Sequence, residues 1–236
     1  MLTDLAVVKP EEVEHFEIGV KTNPTPNSRV NVTIFSTNIK DYQTQVQTAE
    51  LGVNRGYLAN AEKVRVNGVE LEGNIRLLKD LNLNASLSYT DGIYVSFKNA
   101  PVPLEETGSA QSFKDVSGGR LPGISKWSGA VGSEYTVDAK FLKRDGRFFV
   151  ALDSYFRSEF SSSASPSKYL NVAGYALFNG RFGFRVKNGL SISVWARNLL
   201  NKDYYEQLLP GAGNTGHYAG VLGDPRTYGI TLKYAI

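Results

Sequence analysis

The stretch Asn198-Leu199-Leu200-Asn201-Lys202-Asp203-Tyr204-Tyr205, followed by Gly223-Asp224-Pro225-Arg226-Thr227-Tyr228-Gly229-Ile230-Thr231-Leu232-Lys233-Tyr234-Ala235-Ile236, decides how this chain is read. The final residues alternate strictly. Tyr228, Ile230, Leu232, Tyr234 and Ile236 share one parity, and Gly229, Thr231, Lys233 and Ala235 share the other. Successive side chains of a strand point to opposite faces, so this segment has one apolar wall and one polar wall. Such a strand at the end of the sequence is expected to seal a barrel by pairing with its first strand.

The same pattern recurs upstream. Leu81, Leu83, Ala85, Leu87 and Tyr89 interleave with Asn82, Asn84, Ser86, Ser88 and Thr90, and Leu190, Ile192, Val194 and Ala196 interleave with Ser191, Ser193, Trp195 and Arg197. Phe148, Val150, Leu152, Ser154 and Phe156 oppose Phe149, Ala151, Asp153, Tyr155 and Arg157; Phe178, Gly180, Phe182 and Phe184 oppose Asn179, Arg181, Gly183 and Arg185. Within 62–78, Val64 and Val66 fall on one parity and Val69, Leu71, Ile75 and Leu77 on the other, which predicts a β-bulge at Asn67-Gly68. No helical period interrupts these runs. They predict strands near 13–22, 28–40, 57–78, 80–97, 125–138, 147–161, 169–186, 189–200 and 223–236.

The connections sort by length. Asn23-Pro24-Thr25-Pro26-Asn27, Lys79-Asp80 and Lys187-Asn188-Gly189 carry turn residues and are tight. They alternate with long linkers at 41–56, 98–124 and 201–222, while 139–146 is a mid-length turn on the short side and 162–168 a modest loop on the long side. Transmembrane barrels have this asymmetry, with short periplasmic turns and long extracellular loops. If the last strand ends in the periplasm, an odd number of strands places every tight turn there.

Composition narrows the class. The 236 residues contain no cysteine, which excludes a disulfide framework, a thiolate metal site and a cysteine nucleophile. The net charge of +3 comes from both signs spread along the chain, so a nucleic-acid partner has no support. No apolar run reaches the length of about 18 residues that a membrane-spanning helix needs. A spanning strand needs only about 9–11 residues with every second one apolar, which the mean hydropathy of -0.24 permits. The N-terminal Met1–Pro10 lacks the basic and apolar regions of a signal peptide, so an outer-membrane precursor would carry further sequence upstream. A soluble or surface-attached β-sandwich binding carbohydrate is one alternative, but Asn82, Asn84, Ser86 and Ser88 would need partners in its core. A plug-free porin is another.

The C-terminal pair Asn-Leu-x-x-Lys-Asp-Tyr-Tyr and Gly-Asp-Pro-Arg-Thr-Tyr-Gly resembles the end of a TonB-dependent outer-membrane receptor. Upstream, Lys9 to Thr22 is similar to the family's Pro-Glu…Glu-Ile-Gly-Lys strand, Phe35 to Gln43 to the strand that follows, and Asn67-Gly68-Val69-Glu70-Leu71-Glu72 to its Gly-Val-Glu-Leu-Glu strand. The resemblance covers nearly the whole chain. It implies an all-β fold, an antiparallel transmembrane segment of about nine strands from a larger barrel of about 22. Roughly the first thirteen strands of that number, the plug domain, the TonB box and the signal peptide are then absent from residues 1–236. It further implies active uptake of a small ligand, whether a ferric siderophore, cobalamin, haem or a saccharide. The implied partners are outer-membrane lipid and lipopolysaccharide, TonB through the missing plug, and the barrel-assembly machinery; no cofactor is implied. Tyr228, Ile230, Leu232, Tyr234 and Ile236 would form the assembly signal, with Ile236 where the family ends on an aromatic residue.

Other motifs carry little chemistry. Gly211 to Gly216 matches G-x-G-x-x-G, a fingerprint that needs a strand before it and a helix after it, but here Pro210 precedes and Tyr218-Ala219-Gly220 follows, which reads as a flexible extracellular loop. His15 and His217 have no second ligand at metal spacing, and Ser161-Ser162-Ser163 has no base for nucleophilic catalysis and reads as a solvated loop start. No enzyme is expected. Tyr89, Tyr94, Phe97, Trp127, Tyr135, Phe156, Tyr169 and Tyr228 lie near strand ends, where an aromatic girdle is expected. Leu83, Leu87, Ile192, Val194, Ile230 and Leu232 are expected to face lipid. Specificity is expected in the loops, which carry function on a rigid barrel. The candidates are Lys98, Glu105, Glu106, Lys114 and Arg120 in 98–124, and Tyr204, Tyr205, Glu206, Gln207, Asn214 and His217 in 201–222.

Overall fold

A computed structural model describes residues 8–47, 56–108, 111–211 and 216–234. Strands β1 (Glu12–Thr22), β2 (Ser28–Gln47), β3 (Gly56–Leu78) and β4 (Leu81–Ser96) come first. The loop after β4 holds β5 (Ala100–Pro101), a 3-10 turn at Leu104–Glu106, and β6 (Phe113–Lys114). A hairpin of β7 (Trp127–Phe141) and β8 (Arg144–Arg157) leads to a loop containing β9 (Phe160–Ser161) and β10 (Asn171–Val172). The next hairpin joins β11 (Tyr175–Val186) to β12 (Leu190–Arg197); its exit loop forms a ribbon of β13 (Tyr205–Pro210) and β14 (Tyr218–Leu222) before β15 (Thr227–Tyr234).

The nine long strands make one antiparallel sheet in the order β1-β2-β3-β4-β7-β8-β11-β12-β15, so each lies beside its sequence neighbour. Among the described residues β1 and β15 are its open edges. Strict alternation converts this pairing into two unlike faces, because cross-strand partners point the same way. One rank of partners reads Leu81, Tyr135, Val150, Phe182, Val194 and Ile230 across six strands. All are apolar, and all but the half-buried Leu81 are exposed, with Val194 at 49% and Ile230 at 72%. Ile192 and Leu232 pair in the adjacent rank, and Leu87 partners Leu71 on the same face. Leu83 partners Ile75 there. A soluble monomer rarely exposes an apolar patch above a few hundred Å², so a face of this breadth needs an apolar environment.

The opposite face is polar and internally paired. Glu134 accepts hydrogen bonds from both terminal nitrogens of Arg185, at 2.7 and 2.8 Å, and Arg185 stacks 3.9 Å above Phe149. Arg147 joins Asp138 at 2.8 Å and Asp80 at 3.1 Å. Trp195 lies over Gly229 and donates from Nε1 to the Thr231 hydroxyl at 3.1 Å, so glycine there makes room for the indole.

Every tight connection falls at one end of the sheet, as expected: 23–27, 79–80, 142–143 and 187–189. The 139–146 connection is shorter than the sequence indicates, because β7 and β8 run on to a two-residue turn. Leu142 (φ 49) and Lys143 (φ 62) both adopt positive φ, as a type I′ hairpin requires, although neither residue favours it. Gly189 (φ 91) closes the last of these turns.

Three expectations need correction. The linker 41–56 is not a loop throughout, since β2 continues to Gln47 and β3 starts at Gly56. Asp41 at φ 51 breaks the alternation there, which hides the continuing strand. The bulge expected at Asn67-Gly68 is absent: pairing with β2 and β4 is continuous there, and the β3–β4 register shifts instead at Lys63/Val64 and Arg76/Leu78. Val64 and Val66 are apolar on the polar-face parity because loop residues roof them; Val64 is fully buried beside Tyr94 and Phe97. Tyr94 and Phe97 therefore belong to this interior cluster and not to an aromatic girdle, and Tyr169 packs on Tyr218 in the loops. Tyr89 and Trp127 do pair at the loop-side edge of the apolar face, 4.8 Å apart.

Candidate functional site

At the end opposite the tight turns the long loops fold into a structured layer. The loop after β4 returns along its own strand: Tyr94 donates to Gly119 O, Gly118 to Tyr94 O, and Val116 to Phe97 O. This doubling-back builds the buried cluster of Val46, Ala61, Val64, Tyr94, Phe97, Ala100, Val116, Leu121 and Ala164. A small hydrophobic core thus anchors the loops at the rim.

Glu105 then ties separate loops together. Its Oε2 accepts from the Ser167 hydroxyl at 3.0 Å and the Tyr218 hydroxyl at 2.7 Å, and its Oε1 accepts from Lys168 N at 2.9 Å. Ser167 and Lys168 lie in the loop after β8, and Tyr218 starts β14, so one carboxylate holds three loops. The Ser165 hydroxyl adds a bond to Pro101 O at 2.5 Å, and Leu208 N donates to the Ser162 hydroxyl at 3.1 Å. Burial raises the Glu105 pKa, but the bonds from Tyr218, its own backbone, Ser167 and Lys168 outweigh it and hold the group below the usual carboxylate value. Burial, then the bond to Glu105, pushes the Tyr218 phenol up to about 12.

Between these loops and β2 lies a cavity of about 390 Å³, lined by Thr44 to Gln47, Val102 to Leu104, Pro122, Ser162 to Ser165, Leu170 and Gln207 to Pro210. Its polar atoms come from Thr44, glutamines, serines and backbone, and among the described residues no charged side chain lines it. It lies in the size range of small-molecule sites. A neighbouring cavity of about 370 Å³ has charged groups in its wall, with Arg120, Glu159 and Lys168 beside Asn171. Among the described residues no group of three or more histidine, aspartate or glutamate side chains is placed to hold a metal ion.

The structure disperses the residues singled out from sequence. Glu105 is a tie between loops, and Glu106 and Lys114 pair with each other at 2.6 Å. Arg120 pairs with Glu159 at 3.2 Å, and Lys98 donates through its backbone N–H to Glu62. Tyr204 packs 4.5 Å from Tyr175, while Tyr205, Glu206 and His217 stay exposed. Gln207 alone among the candidates lines the larger cavity. Asn214 lies outside the described residues, as does Ile236. Sequence reasoning missed Gln45, Gln47 and Ser162. The alternation of Tyr42, Thr44 and Val46 beyond Asp41 was the signal that β2 continues into the site.

A sheet apolar outside, polar inside, turned tightly at one end and looped at the other has the architecture of an outer-membrane barrel wall. The family model for the TonB-dependent receptor-like β-barrel matches residues 3–199, and the chain belongs to that family. The ferric-pyoverdine M114 receptor PbuA of Pseudomonas sp. (strain M114) is 25% identical over 232 residues, covering 98% of this chain and 25% of the receptor. The ferric yersiniabactin uptake receptor FyuA of Yersinia pestis superposes with a TM-score of 0.72 at 18% identity, over 95% of this chain and 30% of that one. The ferripyoverdine receptor of the Pseudomonas aeruginosa outer membrane gives 0.62 at 16% identity, over 97% and 28%. The structural likenesses establish the fold. The chain spans about a quarter of the length of the curated relative it matches.

Glu105 supplies a test of the loop layer. A carboxyl with a depressed folded pKa contributes stability that is present above its unfolded value and lost as pH falls through the folded one, so the tie should loosen as the pH falls beneath the ordinary glutamate value. Glu105→Ala should weaken loop closure by about 1–2 kcal/mol at neutral pH, a low figure for charged hydrogen bonds because the group is only part-buried. Hydrogen exchange at 101–108 and 205–211 measures it. The variant should exchange faster at pH 7, and its excess over the native protein should vanish at low pH.

Proposed function

We propose that this chain is the C-terminal part of the barrel, with its last extracellular loops, of a receptor that takes up a ferric siderophore by TonB-dependent transport. The observation that carries this reading is the joined loop layer: three loops fixed through Glu105 over a cavity at the outer rim of a polar wall. A pre-ordered rim lowers the entropy lost when a ligand is held. The 25% identity to a ferric-pyoverdine receptor along 98% of the chain supports a siderophore as cargo. A plug and TonB box in upstream sequence would couple the barrel to energy. The alternating strand from Tyr228 to Tyr234, with Ile236 in the same sequence pattern, would be read by the assembly machinery. Loop residues contacting the cargo would include Gln207 and its neighbours, with Lys98, Arg120, Tyr205, Glu206 and His217 among the further candidates.

Replacing 98–124 and 201–222 by Gly/Ser linkers in the full-length receptor should abolish binding of the ferric siderophore while barrel assembly persists. Binding measured on outer membranes decides this, and undiminished affinity would move the site to the plug and the lumen wall. Leu83, Leu87, Ile192, Val194, Ile230 and Leu232 would face hydrocarbon. Val194→Arg near mid-membrane should then cost about 2–4 kcal/mol of barrel stability, against little for Ser193→Arg on the other face. Equal losses in a denaturant titration of the lipid-embedded receptor would sink the lipid-facing assignment.

A further inference from the structure

Beyond Lys40 one edge of β2 is left unpaired. The β1–β2 ladder ends where Glu12 faces Lys40, and Pro10 has no N–H to carry it further. Lys9 instead lies across the strands. Its N–H is donated to Asn60 Oδ1 at 2.9 Å, and its carbonyl accepts from the side-chain amides of Gln43 and Asn60. The β2–β3 ladder nonetheless runs on from Tyr42 and Ala61 to Gln47 and Gly56. Gln43 turns its N–H away from β3 and donates it to Glu11 Oε1 at 2.7 Å. Alternate residues of an antiparallel strand present their backbone groups to the same side, so Gln45 and Gln47 offer theirs to this open edge too. Among the described residues nothing bonds to them there.

That edge borders the larger cavity, whose other walls include Ser162 to Ser165 and β13. The side-chain amides of Gln45, Gln47 and Gln207 have no hydrogen-bond partner among the described residues. Each amide donates and accepts. The charges around the cavity are engaged elsewhere: Glu105 in the loop tie, Arg120 with Glu159, Lys9 with Asp41, Glu11 on Gln43, and Lys168 over the Tyr169 ring. Glu206 sits near Tyr175 and Tyr204. Between β2 and β3 the sequence adds Glu50 and Arg55, whose charges cancel. An anion seated in this cavity would lose its water without gaining a counter-ion, which is costly. An open strand edge favours the opposite kind of guest, an extended amide chain held by main-chain hydrogen bonds.

We propose that this cavity selects a neutral ferric chelate of the tris-hydroxamate class carried on an amide-bearing arm, and that the arm adds as a short strand to the edge at Gln45 and Gln47. In such a chelate each monoanionic hydroxamate cancels one charge of Fe(III), so no net charge enters the cavity. A ferric tris-catecholate keeps a large negative charge that nothing in the described wall offsets. The inference rests on the uptake reading above and names the chemistry of the cargo held at that same site.

The test measures equilibrium binding of radioiron-loaded probes to the full-length receptor in detergent. The probes are a ferric tris-hydroxamate on a linear peptide arm, the same chelate with the arm's amides N-methylated, and a ferric tris-catecholate. The peptide tris-hydroxamate should bind at least about tenfold more tightly than either of the others, the worth of one or two hydrogen bonds or more. Gln45→Pro removes an N–H that bonds nothing in the protein, and proline is tolerated on a strand edge. It should weaken the peptide probe about tenfold and leave the N-methylated one unchanged. Gln207→Lys should narrow the preference by strengthening the tris-catecholate. Equal or tighter binding of the tris-catecholate by the native receptor would overturn the proposal while leaving siderophore uptake intact. Equal binding of the N-methylated probe would overturn the strand addition, and this comparison needs no variant to fold. Failure of every ferric chelate to bind would remove the uptake reading itself, and the cargo class with it.

Discussion

Everything in this molecule depends on backbone pairing along an uninterrupted antiparallel sheet. In hydrocarbon a peptide N–H or C=O has no water to turn to, so a spanning strand is tolerable only when a neighbour satisfies its polar groups. Sequential pairing of nine strands provides those partners, and it fixes the register of each strand against the next. Because side chains alternate with a period of two, a slip of one residue would carry Val194 and Ile230 to the polar wall and Ser193 and Thr231 to the apolar one. The sharp difference between the faces is what holds the register.

The two walls are stabilised differently. The apolar wall has little side-chain packing of its own beyond aromatic contacts such as Phe148 with Phe182 and Phe184, and it depends on what surrounds it. The polar wall is self-contained: Arg185, Glu134 and Phe149 form a stacked, doubly hydrogen-bonded unit, and Arg147 is shared by two aspartates. Glycines at 68 and 229 admit the Phe35 and Trp195 rings over neighbouring backbone, so large aromatic groups lie flat along the wall.

Order at the rim has another origin. Loops of this length would ordinarily be mobile, but the segment after β4 folds back on its strand and buries Phe97, Val116 and Leu121 against Val64 and Tyr94. Upon that core the Glu105 carboxylate gathers Ser167, Lys168 and Tyr218. Charged groups that look like ligand contacts in the sequence are therefore spent within the layer, Glu105 on the loop tie and Glu106 and Lys114 on each other. Neutral side chains, Gln45, Gln47, Gln207 and Ser162 among them, are left to line the cavity.

The sequence by itself determined the strand count, the two-faced walls and the sorting of turns from loops, because alternation and turn residues act over a few neighbouring positions. It also carried the family, through motifs spread along the chain. Tertiary structure decided the ends of β2 and β3: Asp41 reverses the parity, so the alternation of Tyr42, Thr44 and Val46 gains its meaning from the pairing of Val46 with Tyr57. It likewise decided that Val64 and Tyr94 are core, and that Glu105 binds Ser167, 62 residues away, and Tyr218, 113 away. Contacts across such separations depend on how loops pack above the sheet, and no local pattern encodes them.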